Sequence, residues 1–148
     1  MPIVPLEERH ADGFRALVAE TLPEFGFELD PAYDLDVENP TAAYAAAWVA
    51  LNGRGEIVGS VALRDLGDAG VELKRMYLRP GERGRGLGMQ LLAIALEWAR
   101  AHGKQAVRLD TSERMVAAQR LYEAHGFRRV EGTAPRQGQC RLLYELRL

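Results

Sequence analysis

The sequence is organised around one short stretch, Arg83-Gly84-Arg85-Gly86-Leu87-Gly88, which lies between a predicted strand and a long predicted helix. Glycine at such a junction lets several backbone N–H groups converge without obstruction by a Cβ atom. The helix that follows adds the positive end of its dipole, and two arginines raise the local positive potential. The stretch therefore indicates a phosphate-binding loop. A flexible turn that caps the helix is the alternative.

Two common phosphate-binding motifs do not fit this loop. The dinucleotide pattern Gly-x-Gly-x-x-Gly, started at Gly84, would need glycine at position 89, where the chain has Met89. The P-loop pattern needs Gly-Lys followed by Ser or Thr after its glycines, and this sequence lacks it there. A nucleotide-binding module is therefore disfavoured.

Hydrophobic periodicity predicts the elements on either side of the loop. A central strand is predicted over Val71–Arg79, which ends at Pro80, and a short strand over Ala106–Asp110. Two helical stripes of apolar residues each close in an Ala-His-Gly sequence, where glycine can take the left-handed cap. The stripes are Leu87, Leu91, Ile94, Ala95 and Trp98, and then Ala118, Leu121, Tyr122 and His125.

The remaining segments predict a sheet with helices packed on it. Phe14, Leu17, Val18, Thr21 and Leu22 recur at helical spacing until Pro23, and residues 31–40 read as a loop with room for one short helix. Alanines make helix a competitor to strand over Tyr44–Leu51, and Asn52–Gly55 is a hairpin turn. The remaining predicted strands are Ile3–Leu6, Glu56–Arg64, Phe127–Glu131 and Cys140–Leu148. This order predicts an α+β (mixed α/β) fold, with residues 1–148 as a single domain.

Composition excludes several classes of protein. The 148 residues are 47% hydrophobic and 27% charged, with a formal net charge of −2, so no polycation is present for nucleic acid or anionic lipid. The single cysteine, Cys140, excludes an internal disulfide and is expected in the core of the last strand. No apolar run approaches the length of a membrane span, and the first eight residues lack the features of a secretory signal. We therefore expect a cytoplasmic protein without nucleic-acid or membrane partners.

Three segments together resemble the GNAT superfamily of acyl-CoA-dependent N-acetyltransferases. Arg83-x-x-Gly86-x-Gly88 is similar to the family's R/Q-x-x-G-x-G/A signature, and Glu72–Leu78 resembles its fourth strand. Ala118-x-x-Leu121-Tyr122 followed by Gly126-Phe127 resembles its A-x-x-LY-x-x-x-GF segment. The resemblance implies a mostly antiparallel, twisted sheet of six to seven strands flanked by three to four helices. It also implies that strands four and five splay apart.

One position departs from the family pattern. Many relatives carry asparagine three residues before the matched Ala118, and this chain has Met115 there. The polar contact that this asparagine makes to the cofactor in those relatives is then lost, or it is replaced by Thr111 or Ser112. These two residues equally well form the turn that leads into the helix. The chain is thereby nearer to a branch with an Asp-Thr-x-x-x-Met pattern.

The cofactor implied by the resemblance is acetyl-CoA, the acyl donor, and no metal is implied. The amides of Arg83, Gly84, Arg85, Gly86, Leu87 and Gly88 should hold the pyrophosphate. The backbone of Met76, Tyr77 and Leu78 should pair with the pantetheine as an added strand would. A simple central strand is the alternative for Glu72–Arg79, because its side-chain pattern suits both.

Two side chains are candidates for the chemistry. Tyr122 matches the family's general-acid tyrosine, and its phenol has an ordinary pKa of about 10, close to that of a thiol leaving group; the alternative is a core tyrosine. Glu72 is the candidate general base, with a water chain or a merely solvated strand-end carboxylate as alternatives. The three histidines titrate in a suitable range, but His102 and His125 lie at helix ends, where capping explains them, and His10 has no motif support.

The expected function is transfer of an acetyl group from acetyl-CoA to a primary amine, by direct attack in a ternary complex. The alternative is a non-catalytic acyl-CoA-binding sensor. Acceptor selection should fall to the first helix, residues 23–40 and the last strands, with a small molecule or peptide as acceptor. The acids of residues 23–40 either attract a cationic amine or are simply solvated. A homodimer through an exposed strand or the C-terminal region is a further expectation.

Overall fold

The computed structural model describes residues 2–148, except for the side chains of residues 133–135 and of Cys140, whose expected core position lies outside the described part. Seven strands form one sheet in the order β1-β2-β3-β4-β5-β7-β6. The strands are β1 (Ile3–Pro5), β2 (Ala46–Leu51), β3 (Ile57–Asp65), β4 (Val71–Leu78), β5 (Ala106–Ser112), β6 (Arg128–Arg136) and β7 (Gln139–Arg147). The α-helices are α1 (Ala11–Glu24), α2 (Leu35–Glu38), α3 (Pro40–Ala43), α4 (Leu87–Ala101) and α5 (Val116–Ala124). The predicted α+β class, with a mostly antiparallel sheet, is confirmed.

Strands β4 and β5 form the parallel pair of the sheet, and they stay together for only two residues. Val71 pairs with Val107 and Glu72 with Arg108, after which the strands diverge. Gly70 permits this contact, because its φ is +106° and a Cβ there would lie 2.1 Å from the carbonyl oxygen of Ala106. The predicted splay between strands four and five is therefore present, and it begins directly after Glu72.

A β-bulge in β4 reverses the direction in which its side chains point. Ser60 of β3 pairs with Tyr77, but Ala62 pairs with Lys74, so two residues of β4 face one of β3. One of the two is Arg75, whose φ is +54°. Before the bulge, Leu73 belongs to the core beneath α4, whereas after it Tyr77 belongs to the core beneath α1. One extra residue therefore exchanges the two faces of the strand.

Two apolar layers cover the two faces of the sheet. On one face, Leu91, Leu92 and Ala95 of α4 are fully buried against the sheet. On the other face, Phe14 and Leu17 of α1 are fully buried in a separate cluster. Both helices contact β3 and β4, so the central pair of strands is covered on both sides. This burial is the main stabilising contribution to the fold.

Several element boundaries differ from those predicted. Residues 31–40 contain the short helix α2 and the start of a second one, α3, in which Pro40 occupies the first turn, where its missing N–H costs nothing. Helix α1 continues one residue past Pro23. The alanine-rich segment before Asn52 is a strand, because it pairs with β1 and β3 on its two sides. Strand β6 runs to Arg136 because Gln137 and Gly138, both with positive φ, form a tight hairpin turn.

Candidate active site

The glycine loop before α4 leaves several backbone amides exposed. Gly84 and Gly86 have φ of +76° and +83°, and a Cβ at either would meet open space, so backbone conformation rather than crowding requires glycine there. Over the described chain, the N–H groups of Gly84, Arg85 and Gly86 have no hydrogen-bond acceptor. The first N–H groups of α4 are unpaired as at any helix start. The loop therefore presents a concave set of donors suited to an anion.

The two arginines of the loop are placed differently. The guanidinium of Arg83 donates to the carbonyl of Leu78 from Nη2 at 2.9 Å and forms an ion pair with Glu24 of α1. Its charge is therefore shared with a carboxylate, which weakens the expected positive potential. Arg85 is exposed and has no ion-pair partner among the described residues. Arg83 thus ties α1 to the end of β4, and Arg85 supplies the unpaired positive charge of the loop.

The second half of β4 has a free edge that runs toward this loop. Beyond Glu72, the edge that faces β5 has no strand partner in the described part of the sheet. Met76, Tyr77 and Leu78, the predicted pantetheine-binding residues, lie in this stretch. The carbonyl of Arg75 in the bulge accepts a hydrogen bond from Ser60 Oγ at 2.6 Å, which fixes the backbone there. Unpaired backbone groups in an otherwise ordered strand are suited to an extended partner.

A cavity of about 230 Å³ opens where β4 and β5 diverge. Its walls carry both predicted catalytic residues, Tyr122 and Glu72, together with Met76 and Tyr77 of the free edge. The walls also include Met115, the position that departs from the expected asparagine, and Thr111, a candidate to replace its polar contact. The other wall residues have no role predicted from the sequence: Tyr33, Arg64, Leu73, Lys74, Arg75, Asp110, Arg136 and Arg141. The structure therefore brings the predicted acid and base to one chamber.

Tyr122 reaches the cavity from helix α5 and is 5% exposed. Its ring packs against Phe127, with centroids 5.6 Å apart, and against Tyr144 at 6.3 Å. Burial raises the pKa of Tyr122, and the nearby Tyr77 adds to the shift. The phenol is therefore held protonated at neutral pH, at the wall of the cavity.

Glu72 lies at the last position at which β4 pairs with β5, with its side chain 22% exposed. Its carboxylate accepts a hydrogen bond at 2.8 Å from Nε of Arg64, its cross-strand neighbour on β3. The carboxylate therefore faces the cavity with one oxygen engaged.

Two acids of residues 31–40 are buried in ion pairs. Arg75, in the bulge, donates from Nη2 to Asp34 at 2.7 Å and from Nε to Asp36 at 2.9 Å. Asp34 also accepts from Nη2 of Arg136 at 2.6 Å, and its side chain is fully buried. Lys74 lies 3.7 Å from Asp36. The sequence predicts that these acids either attract a cationic amine or are solvated. Asp34 and Asp36 do neither, because both carboxylates are buried and already paired with arginine.

The remaining candidates are explained by local structure. Ser112 Oγ accepts from the amide of Arg114 at 3.1 Å, so it forms the turn that leads into α5. The rings of His102 and His125 each contact the carbonyl four residues earlier, at 2.8 and 2.9 Å, as helix-end residues do. His10 Nδ1 accepts from the amide of Glu7 before α1. None of the three histidines lines the cavity.

Other features of the described residues do not resemble a second reaction site. A cavity of about 320 Å³ lies between β2 and α4, beside Trp48 and Trp98, with Tyr44 as its titratable side chain. Within residues 2–148, apart from the side chains left undescribed, no three His, Cys, Asp or Glu residues cluster as metal ligands would. Across the same residues, no helix has both the length and the apolar character that a membrane crossing requires.

Comparison with known sequences gives consistent matches. The sequence model described as "Acetyltransferase (GNAT) family" matches residues 12–127. A protein of Schizosaccharomyces pombe named as an N-acetyltransferase is 35% identical over 126 residues, which are 81% of this chain and 77% of that protein. Human N-acetylaspartate synthetase is 43% identical over 84 residues, 56% of this chain but only 28% of the human protein.

Comparison with solved structures gives the same fold. An acetyltransferase of the GNAT family from Staphylococcus aureus has a TM-score of 0.89 at 22% identity, covering 99% of this chain and 98% of that one. The yncA protein of Salmonella typhimurium, solved with its cofactor acetyl-CoA, has a TM-score of 0.78 at 19% identity, covering 99% and 93% of the two chains.

The lowered pKa of Asp36 predicts that the protein loses stability in acid. Burial alone would raise the pKa of Asp36, but the hydrogen bond and charge of Arg75, with help from Tyr44 and Lys74, lower it from 3.8 to about 2. A lowered folded-state pKa stabilises the protein above pH 4, and this contribution is lost as the pH falls toward 2. We expect the free energy of unfolding, measured by urea titration, to fall more steeply between pH 4 and pH 2 in the wild type than in Asp36→Asn. Glu38→Gln, at an exposed position of the same short helix, should keep the wild-type slope; equal slopes in all three proteins would refute the assignment.

Proposed function

Because the chain belongs to the GNAT family of acetyltransferases, we propose that it transfers the acetyl group of acetyl-CoA to a primary amine by direct attack in a ternary complex. The observation that carries the proposal is the free edge of β4, which runs from the divergence at Glu72 along the cavity toward the glycine loop. We further propose that residues 1–148 act as one catalytic domain, since both apolar layers pack on one sheet.

Acetyl-CoA would be held by backbone rather than by side chains. Of the amides of residues 83–88, that of Arg83 already donates to the carbonyl of Pro80, so those of residues 84–88 would bind the pyrophosphate. Arg85 would contribute the unpaired charge, and Leu87 anchors the loop in the core. Met76, Tyr77 and Leu78 would offer their edge to the pantetheine, apart from the carbonyl of Leu78, which already accepts from Arg83. Arg83 would act through its bond to the carbonyl of Leu78, which positions the loop relative to β4. The donor supplies a thioester at the cavity, and the protein supplies its orientation.

The transfer forms one C–N bond and breaks one C–S bond. The neutral amine attacks the carbonyl carbon, and a backbone N–H of the bulged segment near Met76 would stabilise the charge that develops on the carbonyl oxygen. The departing thiolate takes a proton from Tyr122, and the amine loses one proton to a base. Tyr122 is placed for the acid role by its position at the cavity wall, although the burial that raises its pKa also makes its phenol a weaker proton donor.

Glu72 is the proposed base, with a chain of water molecules as the alternative. Its carboxylate lines the same cavity as Tyr122, which favours a direct role. Its hydrogen bond from Arg64 leaves the second oxygen to accept a proton or to orient a water molecule.

The comparisons bear on the acceptor only indirectly. The human relative is named for the synthesis of N-acetylaspartate, which is an acetylated amino acid, but this chain spans 28% of that protein's length. An amine acceptor is therefore proposed here without a name. A non-catalytic sensor, the alternative, would bind acetyl-CoA but release no CoA with any amine.

The glycine loop can be tested by adding a negative charge to it. Gly86→Glu should abolish acetyl-CoA binding in calorimetry, because the carboxylate would repel the pyrophosphate and the left-handed backbone disfavours a side chain. Gly103→Glu is the matched control, since Gly103 also has positive φ and open space around its Cβ but lies at the other end of α4. Undiminished binding by Gly86→Glu would refute the placement of the pyrophosphate.

The acid can be tested by removing one oxygen atom. Tyr122→Phe should lower turnover about 10²–10⁴-fold and leave the affinity for acetyl-CoA nearly unchanged. Tyr144→Phe removes the hydroxyl of a neighbouring buried tyrosine that is not part of the cavity wall, so its turnover should match the wild type. Wild-type turnover by Tyr122→Phe would reduce Tyr122 to a packing role.

The base can be tested by the pH dependence of the reaction. If Glu72 is the base, Glu72→Gln should lower kcat/KM about 10²–10⁴-fold and remove the acidic limb of its pH profile. Glu145→Gln is a close control, because Glu145 also accepts from an arginine Nε at 2.8 Å but lies outside the cavity wall. An unchanged acidic limb in Glu72→Gln would show that Glu72 is not the base and that a chain of water molecules accepts the proton of the amine.

A further inference from the structure

The cavity contains more positive charge than its own carboxylates balance. Its walls carry five cationic side chains and two carboxylates, and the cations are Arg64, Lys74, Arg75, Arg136 and Arg141. Asp34 and Asp36, which pair with Arg75, Arg136 and Lys74, bring the carboxylates to four. One positive charge is therefore left over.

Arg141, which is paired with Asp110, has the least satisfied hydrogen-bond donors of these cations. Its side chain, on β7, is 9% exposed, and Nε and Nη1 have no hydrogen-bond acceptor among the described residues. Nη2 donates to the backbone carbonyl of Asp110 at 3.1 Å. Nη2 also donates to Oδ1 of the Asp110 carboxylate, at 3.5 Å. The other oxygen of that carboxylate lies 3.5 Å from Nε without hydrogen-bond geometry, and the carboxylate is 25% exposed. A buried guanidinium with two unused donors is costly unless a ligand accepts from them.

The neighbouring arginine supports the same conclusion. Arg136 has a side chain that is 4% exposed, and its Nε also lacks an acceptor among the described residues. Its guanidinium lies over the ring of Tyr33, 4.3 Å from the centroid, and that ring forms part of the cavity wall. Two buried arginines with unused donors thus meet in the chamber that contains Tyr122.

We propose that Arg141, assisted by Arg136, binds a carboxylate of the acceptor, so that the acceptor is a small amine that carries a carboxylate group. This inference rests on the proposed acetyl transfer, because it places the acceptor in the same cavity. A carboxylate matches the planar fork of a guanidinium and would balance the remaining positive charge. The same cations disfavour an ammonium ion in the cavity, which keeps the attacking amine neutral.

The test compares acceptors that differ in one group. Release of free CoA would be followed with the full chain, acetyl-CoA and matched pairs of amines, each pair being an amino acid and the amine left by removing its carboxyl group. We expect kcat/KM to be at least about 10-fold higher for the carboxylate-bearing members. Equal rates within every pair would overturn the carboxylate inference and leave acetyl transfer intact. Preference for phosphate-bearing amines over both members would overturn it too.

The second test of the carboxylate inference replaces Arg141. Arg141→Met should raise KM for the preferred amino acid about 10²-fold, because two charge-assisted hydrogen bonds are lost, and it should leave the decarboxylated amine and acetyl-CoA affinity unchanged. Arg147→Met removes an exposed arginine from the same strand and should have no effect. If Arg141→Met does not fold, Arg141→Lys keeps the charge without the fork and should give a smaller rise in KM. An unchanged KM in the folded variant would overturn the role of Arg141.

A binding measurement separates the two proposals. Calorimetry with N-acetyl amino acids and their N-methylamides requires no turnover. Wild-type protein should bind the free acids and not the amides, and Arg141→Met should bind neither. If no amine releases CoA but this pattern holds, acetyl transfer fails and the carboxylate site stands. If the acids do not bind either, the carboxylate site fails as well.

Discussion

The buried ion pairs of Arg75 hold together the parts of the chain that surround the cavity. Its guanidinium lies in the bulge of β4 and binds Asp34 and Asp36 from the segment between α1 and β2. Asp34 in turn binds Arg136 near the hairpin of β6 and β7. Removing either side of such a pair leaves an uncompensated buried charge, at a typical cost of about 3–5 kcal/mol. The three segments are therefore fixed by one electrostatic cluster.

The divergence of β4 and β5 would place donor binding and chemistry in the same chamber. A sheet normally satisfies the backbone groups of its central strands, so a free edge in the middle is available to a ligand. The same divergence opens the chamber into which Tyr122 and Glu72 project. The donor would approach from the glycine loop and the acceptor from the side of Arg141. The two substrates can then meet at the bulge without crossing each other.

The sequence was sufficient for the fold and for the elements that form the proposed donor site, because these depend on local patterns. The glycine loop, the adjoining strand and helix, and the segment ending in Gly126-Phe127 are each contiguous. The proposed acceptor side depends on contacts between distant residues, such as Asp34 and Arg136, 102 positions apart. From the sequence alone, the acids of residues 23–40 are therefore expected either to attract a cationic amine or to be solvated, and the burial of Asp34 and Asp36 is not predicted. Arg141 was missed because it alternates with the apolar residues of β7, as an ordinary surface residue would.

The bulge at Arg75 also limits how this protein can change in evolution. Because one extra residue exchanges the faces of β4, deleting it would turn Tyr77 away from α1 and Leu78 toward it. No single substitution restores both layers, so the length of β4 is constrained more tightly than its composition. The hairpin at Gly53 and Gly55 has open space around both glycines and carries no such constraint. Insertions and deletions should therefore accumulate at that hairpin, while β4 keeps a constant number of residues across the protein's relatives.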